Sequence, residues 1–185
     1  MIRKSGFSLL ELLVAIAILG LLATIVVPMI RRSRPQEVRE KFINNLNKLT
    51  SFAWQNAIKT QKVYKVNFNF GKKEIFLSVE SEKDKYGAMQ YLPVKRAYIK
   101  TKMTIPAQLE LKNFYVEKKD LAGEIGKSGS KSGDAWFFIT DGVSQTVVIN
   151  FFDNQDRIDR AKRPVSLVLN PFSAQFEVYD EFKKP

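Results

Sequence analysis

Three groups of side chains in this sequence have the types and spacing to do chemistry. The first is a lone carboxylate, Glu11, at the head of an apolar run in which no residue from Leu12 to Ile30 is charged. A carboxylate inside a bilayer-length segment costs at least about 2.5 kcal/mol near the membrane centre and less near the end of the span. Two readings stand: Glu11 is tolerated at headgroup level, or it pairs with a cation inside an assembly. The second group is Asp153, Asn154, Asp156 and Asp159, whose oxygens are of the kind that hold calcium. Their spacing matches no EF-hand, lacks its glycine and is interrupted by Arg157, so a solvated turn is the preferred reading and no metal is expected. The third is the basic run Arg157, Arg160, Lys162 and Arg163, a candidate DNA contact, because phosphate binding needs several cations on one face and no particular sequence. The interleaved acids weaken that reading.

The chemistry that is missing narrows the field further. The chain has no Cys and no His, which removes disulfides, thiol nucleophiles, most zinc sites and any imidazole base. No catalytic residue is nominated, no cofactor is implied and the chain does not read as an enzyme; an envelope enzyme would need a carboxylate or serine site that the sequence does not offer. Gly126-Lys127-Ser128 within Gly123 to Gly133 imitates a phosphate-binding loop, but Leu121 stands where such a loop needs its first glycine, and a strand rather than a helix follows. That segment reads as a flexible loop. Lys and Arg number 30 against 19 acids, giving a net charge of +11, which bears on solubility and encounter more than on a specific site.

The elements that must carry these groups can be read from periodicity. At about 1.5 Å per residue, a helix from Leu12 to Ile30 roughly matches a 30 Å hydrocarbon core. It is not a secretory signal, because the small residue Gly6 precedes the apolar run instead of following it. After a basic, proline-containing junction at 31–36, Val38, Phe42, Leu46, Leu49, Ala53 and Ala57 draw one stripe along a helix from Glu37 to about Thr60. Ile43, Phe52, Trp54 and Ile58 widen it, and the stripe is expected to pack on the protein's own sheet. From Val63 the period becomes two: Tyr64 to Phe70 and Ile75 to Val79 flank a Gly71-Lys72-Lys73 turn and predict a hairpin. Further strands are expected at Tyr98 to Met103, Gln108 to Val116, Ala135 to Ile139, Gln145 to Phe152, Val165 to Leu169 and Gln175 to Tyr179, with turns at Asp141-Gly142 and Asn170 to Ser173. The whole predicts an α+β fold, a long helix packed on an antiparallel, sandwich-like β domain.

Lys4-Ser5-Gly6-Phe7-Ser8-Leu9-Leu10-Glu11-Leu12 resembles the cleavage and methylation motif of type IV prepilins and of type II secretion pseudopilins. The resemblance implies a membrane-spanning assembly helix and four segments: a leader at 1–6, a transmembrane helix at 7–30, its amphipathic continuation at 31–60 and a β-rich periplasmic domain at 61–185. It implies cleavage after Gly6 by a prepilin peptidase, N-methylation of Phe7, and pairing of Glu11 with the amine of a neighbouring subunit. Pro28 fits the family's kink or unwinding point. The helix followed by a cysteine-free β domain and a closing strand pair is similar to the H-type minor pseudopilins, although Pro171 stands in the last turn where that group often has Gly. Partners implied are other pseudopilins or pilins, an inner-membrane assembly platform and secreted cargo, in an inner-membrane, single-pass protein with its C-terminal domain in the periplasm. A minor type IV pilin that binds DNA is the alternative.

Overall fold

The computed structural model describes residues 9–31, 35–95, 97–122, 134–158 and 160–185, with the side chains of residues 23 and 25–31 left aside. The chain falls into two compact units, Met1–Arg34 and Pro35–Pro185. The first contains helix α1 (Leu9–Arg31), which runs through Pro28. Large apolar side chains stand exposed along it, among them Leu12, Ile16 and Leu19. A helix apolar on all sides has no stripe to bury and is completed by surroundings outside itself. Among the described residues, no helix is long and apolar enough to cross a membrane.

The second unit opens with helix α2 (Pro35–Thr60), two residues ahead of the expected start. Proline suits a first turn, where its missing N–H would have no helical partner, and Glu37 in the first turn with Lys59 in the last complements the helix dipole. The expected stripe is the buried face: Phe42, Leu46, Leu49, Ala53 and Ala57 are buried, joined by Ile43 and Phe52, while Val38 is half-buried and Ile58 exposed.

The strands are β1 (Tyr64–Asn69), β2 (Glu74–Lys83), β3 (Met89–Pro93), β4 (Lys102–Thr104), β5 (Leu109–Val116), β6 (Lys119–Asp120), β7 (Asp134–Thr140), β8 (Val143–Ser144), β9 (Val147–Ile158), β10 (Ala161–Asn170) and β11 (Gln175–Tyr179). They form two antiparallel sheets, one ordered β3-β2-β1-β7-β8 with β4 also on β2, the other β11-β10-β9-β5-β6. Two expectations are corrected, and one strand is added. The strand expected at Tyr98 to Met103 is confined to β4, because pairing with β2 starts at Lys102. Strand β3, which sequence reading missed, extends the edge of the first sheet. The turn expected around 153–159 is the outer end of β9, paired with Ala161 to Arg163. The loop at 123–133 lies outside the described residues.

Alternation on each strand turns one set of side chains toward α2 and the other sheet. Phe68 of β1 meets Phe114 of β5 edge-on at 5.0 Å, Phe137 of β7 meets Phe176 of β11 at 6.3 Å, and Phe42 of α2 meets Phe151 of β9 at 6.4 Å. Helix and both sheets therefore share one core. Each such ring contributes roughly 1.5–3 kcal/mol of burial. The opposite face of the second sheet is strapped by the C-terminal segment. Buried Asn150 donates to the Lys183 carbonyl at 2.9 Å, the Lys183 N–H donates to Ser166 Oγ at 2.8 Å, and Phe182 packs edge-on against Phe152 at 4.9 Å.

The far end of α2 is pinned by the β7–β8 turn. Asp141 and Gly142 both have positive φ, 44° and 79°, as a tight hairpin turn requires. Trp54 Nε1 donates to the Gly142 carbonyl at 2.5 Å, and a Cβ added at Gly142 would stand 3.2 Å from Ile58 Cγ1. Gly142→Ala is expected to lower stability by about 1–2 kcal/mol through the left-handed backbone alone, as measured by urea denaturation followed by tryptophan fluorescence.

Candidate functional site

The acidic cluster and the basic run meet a residue that sequence reading did not nominate, Arg39. It lies on the buried side of the first turns of α2, 5% exposed, a cation where the neighbouring positions are core. Its Nη1 donates to Asp153 Oδ2 and to Asp156 Oδ2, both at 2.8 Å. Asp153 is fully buried. Its Oδ2 also accepts from Gln108 Nε2 at 3.1 Å, and its Oδ1 accepts the N–H groups of Gln155 and Asp156 at 3.1 and 3.2 Å. Gln108 Nε2 in turn donates to the Pro35 carbonyl at 2.8 Å, tying the first residue of α2 into the same cluster.

The strand geometry explains how two acids of one strand reach the same arginine on α2. Register in the β9–β10 pair shifts between Lys162 and Arg163: Arg163 faces Asp153 whereas Lys162 faces Arg157, so the residues between Asp153 and Arg157 bulge. Asp153 caps the bulged N–H groups itself. On the outer side Arg163 grips Asp180 with Nε at 3.0 Å and Nη2 at 2.5 Å, and reaches Asp156 with Nη1 at 3.3 Å. These contacts, the Asp180 bond first, hold the Arg163 guanidinium above its ordinary pKa. The hydrogen bond from Arg39 holds the Asp156 carboxyl below its ordinary range against the opposing effect of desolvation. A polar cleft of about 490 Å³ lies alongside, lined by Gln36, Arg39, Glu40, Asn44, Arg163 and Asp180.

The arrangement joins the start of α2 to β9. The carboxylates of Asp153 and Asp156 are committed to guanidinium and backbone N–H groups, which leaves them poorly placed as bases or calcium ligands. This corrects the solvated-turn reading, since Asp153 is an interior anion; Asp159 lies outside the described residues. The four cations of the candidate DNA contact lie together on the β9–β10 hairpin but differ in their partners. Lys162 bonds Glu110 at 2.8 Å and Arg163 is engaged by Asp156 and Asp180, while Arg157 on β9 and Arg160 in the β9–β10 turn are exposed. Gly6 and Phe7 lie outside the described residues. Glu11 sits exposed in the first turn of α1, where the helix dipole favours a carboxylate.

Arg39→Met leaves Asp153 buried without its cation and is expected to cost about 3–5 kcal/mol, measured by urea denaturation at pH 7. Asp156→Asn tests the pH linkage. A carboxyl depressed in the folded state stabilises above its unfolded pKa and loses that contribution as pH falls through the folded one. The stability gap between wild type and Asp156→Asn should therefore be full at pH 7 and narrow below about pH 4, near the unfolded Asp value.

The N-terminal end is where comparison with known proteins is informative. Residues 1–27 match the family described as the prokaryotic N-terminal methylation motif. No curated protein matches the chain. Among solved structures the chain is similar to the minor pseudopilin EpsH from the type 2 secretion system of Vibrio cholerae, at 10% identity and a TM-score of 0.47, over 80% of this chain and 98% of that one. That likeness is too slight to carry a function. What the comparisons establish is the N-terminal segment: residues 1–27 of this chain carry a prokaryotic N-terminal methylation motif.

Proposed function

We propose that the chain is a minor pseudopilin of a type II secretion system, processed by prepilin peptidase and assembled into a short periplasmic filament that aids protein export. The observation that carries this reading is the methylation motif over residues 1–27, joined to a helix whose large apolar side chains stand exposed from Leu9 to Leu22. Cleavage after Gly6 frees the amine of Phe7, which is then methylated. Residues 7–30 wait in the inner membrane with the C-terminal domain outside, until an assembly platform moves them into a filament with other pseudopilins. Leu9, Leu12, Leu13 and their neighbours then exchange lipid for neighbouring helices. They stay out of water in both states, which removes most of the hydrophobic cost of extraction.

Glu11 sets the axial register in this scheme. An ammonium and a carboxylate are each costly in a low-dielectric filament core and far less costly together, so the Phe7 amine of one subunit is held by Glu11 of another. The body at 35–185 supplies contacts to sister subunits or cargo, with its internal charges already engaged around Arg39. The rival reading, a minor type IV pilin that binds DNA through Arg157, Arg160, Lys162 and Arg163, has two of its four cations engaged by carboxylates.

The test is Glu11→Ala in cells that assemble the filament. Leader cleavage is expected to proceed as in wild type while the fraction of chain recovered in sheared filaments falls at least several-fold. Normal filament entry by this variant would remove the pairing argument.

A further inference from the structure

Aromatic side chains gather on the face of the first sheet that points away from the core. The register dictates it: Asn67 of β1 faces Phe76 on β2 and Trp136 on β7, Lys65 faces Ser78 and Phe138, and Glu80 faces Tyr91 on β3. The alternating residues Val66, Phe68, Leu77 and Phe137 are buried on the other side, so these positions point outward. Tyr91 and Phe138 pack with centroids 5.5 Å apart, and Lys65 Nζ lies 4.2 Å from the Trp136 ring and 5.6 Å from that of Tyr91. Asn67 Nδ2 is fixed by the Phe76 carbonyl and by Ser78 Oγ at 3.1 Å. Trp136 nevertheless keeps 42% of its surface exposed. The opposite sheet contrasts with this, since its outer face is strapped by the C-terminal segment over Asn150 and Ser166.

Charge selects among ligands for such a platform. Although the chain as a whole is strongly basic, the described charges on this face are balanced or acidic: Lys65 lies near Asp134, Lys102 is bonded to Glu74 at 2.9 Å, and Glu80 adds a further carboxylate. A polyanion therefore gains little here, because its affinity rests on surplus cations. A pyranose ring has the complementary chemistry. Its C–H face carries slight positive charge and stacks on the negative face of an aromatic ring, while its hydroxyls reach rim amides and carboxylates. A flat sheet face suits an extended chain better than an enclosed small molecule, which needs a concave site.

We propose that the outward face of the first sheet, centred on Trp136, Tyr91 and Phe138, binds a neutral polysaccharide chain by ring stacking. The site is independent of the N-terminal motif and of the proposed filament role, so either can fail without the other. Lys65, on the same face, lies over the Trp136 and Tyr91 rings and so pre-orders them, and little side-chain entropy is lost on binding.

The test uses the full chain in a detergent whose headgroup contains no sugar, run by affinity electrophoresis through gels containing amylose, hydroxyethyl cellulose or glycol chitin, with single-stranded DNA as a separate arm. At least one neutral glycan is expected to retard the wild type. Trp136→Ala and Tyr91→Ala should each weaken that retardation about tenfold, and Trp54→Phe should leave it unchanged. If Trp136→Ala does not fold, Tyr91→Ala carries the comparison. Absence of retardation by all three glycans, equal retardation of the alanine variants, or retardation by DNA alone would overturn the proposal.

Discussion

The body of this protein depends on one buried charge pair. Arg39 on the first turns of α2 and Asp153 on β9 are both removed from water and 2.8 Å apart. Two ions taken into the interior cost several kcal/mol each, and the cost is recovered only when every lone pair and N–H finds a partner. Here Asp153 accepts from Arg39, Gln108 and two backbone N–H groups. The bulge in β9, the start of α2 and the bond from Gln108 to the Pro35 carbonyl all converge on that one carboxylate and its partners.

A cluster of this kind contributes position more than stability. Apolar residues of similar volume could stabilise the helix start as well, but an ion pair with directional hydrogen bonds specifies one register. Arg163, Asp156 and Asp180 extend the network outward to β10 and the residue following β11, so three strands and a helix meet at the same end of the domain. Under the proposed function, that is the end at which the chain leads back toward the assembly helix. A load arriving at Pro35 would pass directly into the second sheet through Gln108 and Arg39.

What was legible in the sequence follows from how each feature is encoded. The N-terminal motif reads cleanly because it is written in the linear order of neighbouring residues, and residues 1–27 match a methylation motif. The hairpin β1–β2, strand β7 and strand β11 read well because their alternation reflects one buried face. Strand β3 did not, since Met-Gln-Tyr-Leu-Pro at a sheet edge has little to bury and ends in proline. The acids at 153–156 read as a turn because their partner Arg39 lies 114 residues away from Asp153, and local composition is silent about such pairing. The one available signal was Arg39 itself, a charge among Val38, Phe42 and Ile43 on the packed side of a helix.

Whether this chain is a processed, pilin-like subunit is tested most directly by mass spectrometry of its N-terminus after expression in cells with an active prepilin peptidase. The prediction is a chain that begins at N-methylated Phe7. A chain that begins at unmethylated Met1 under those conditions would contradict it.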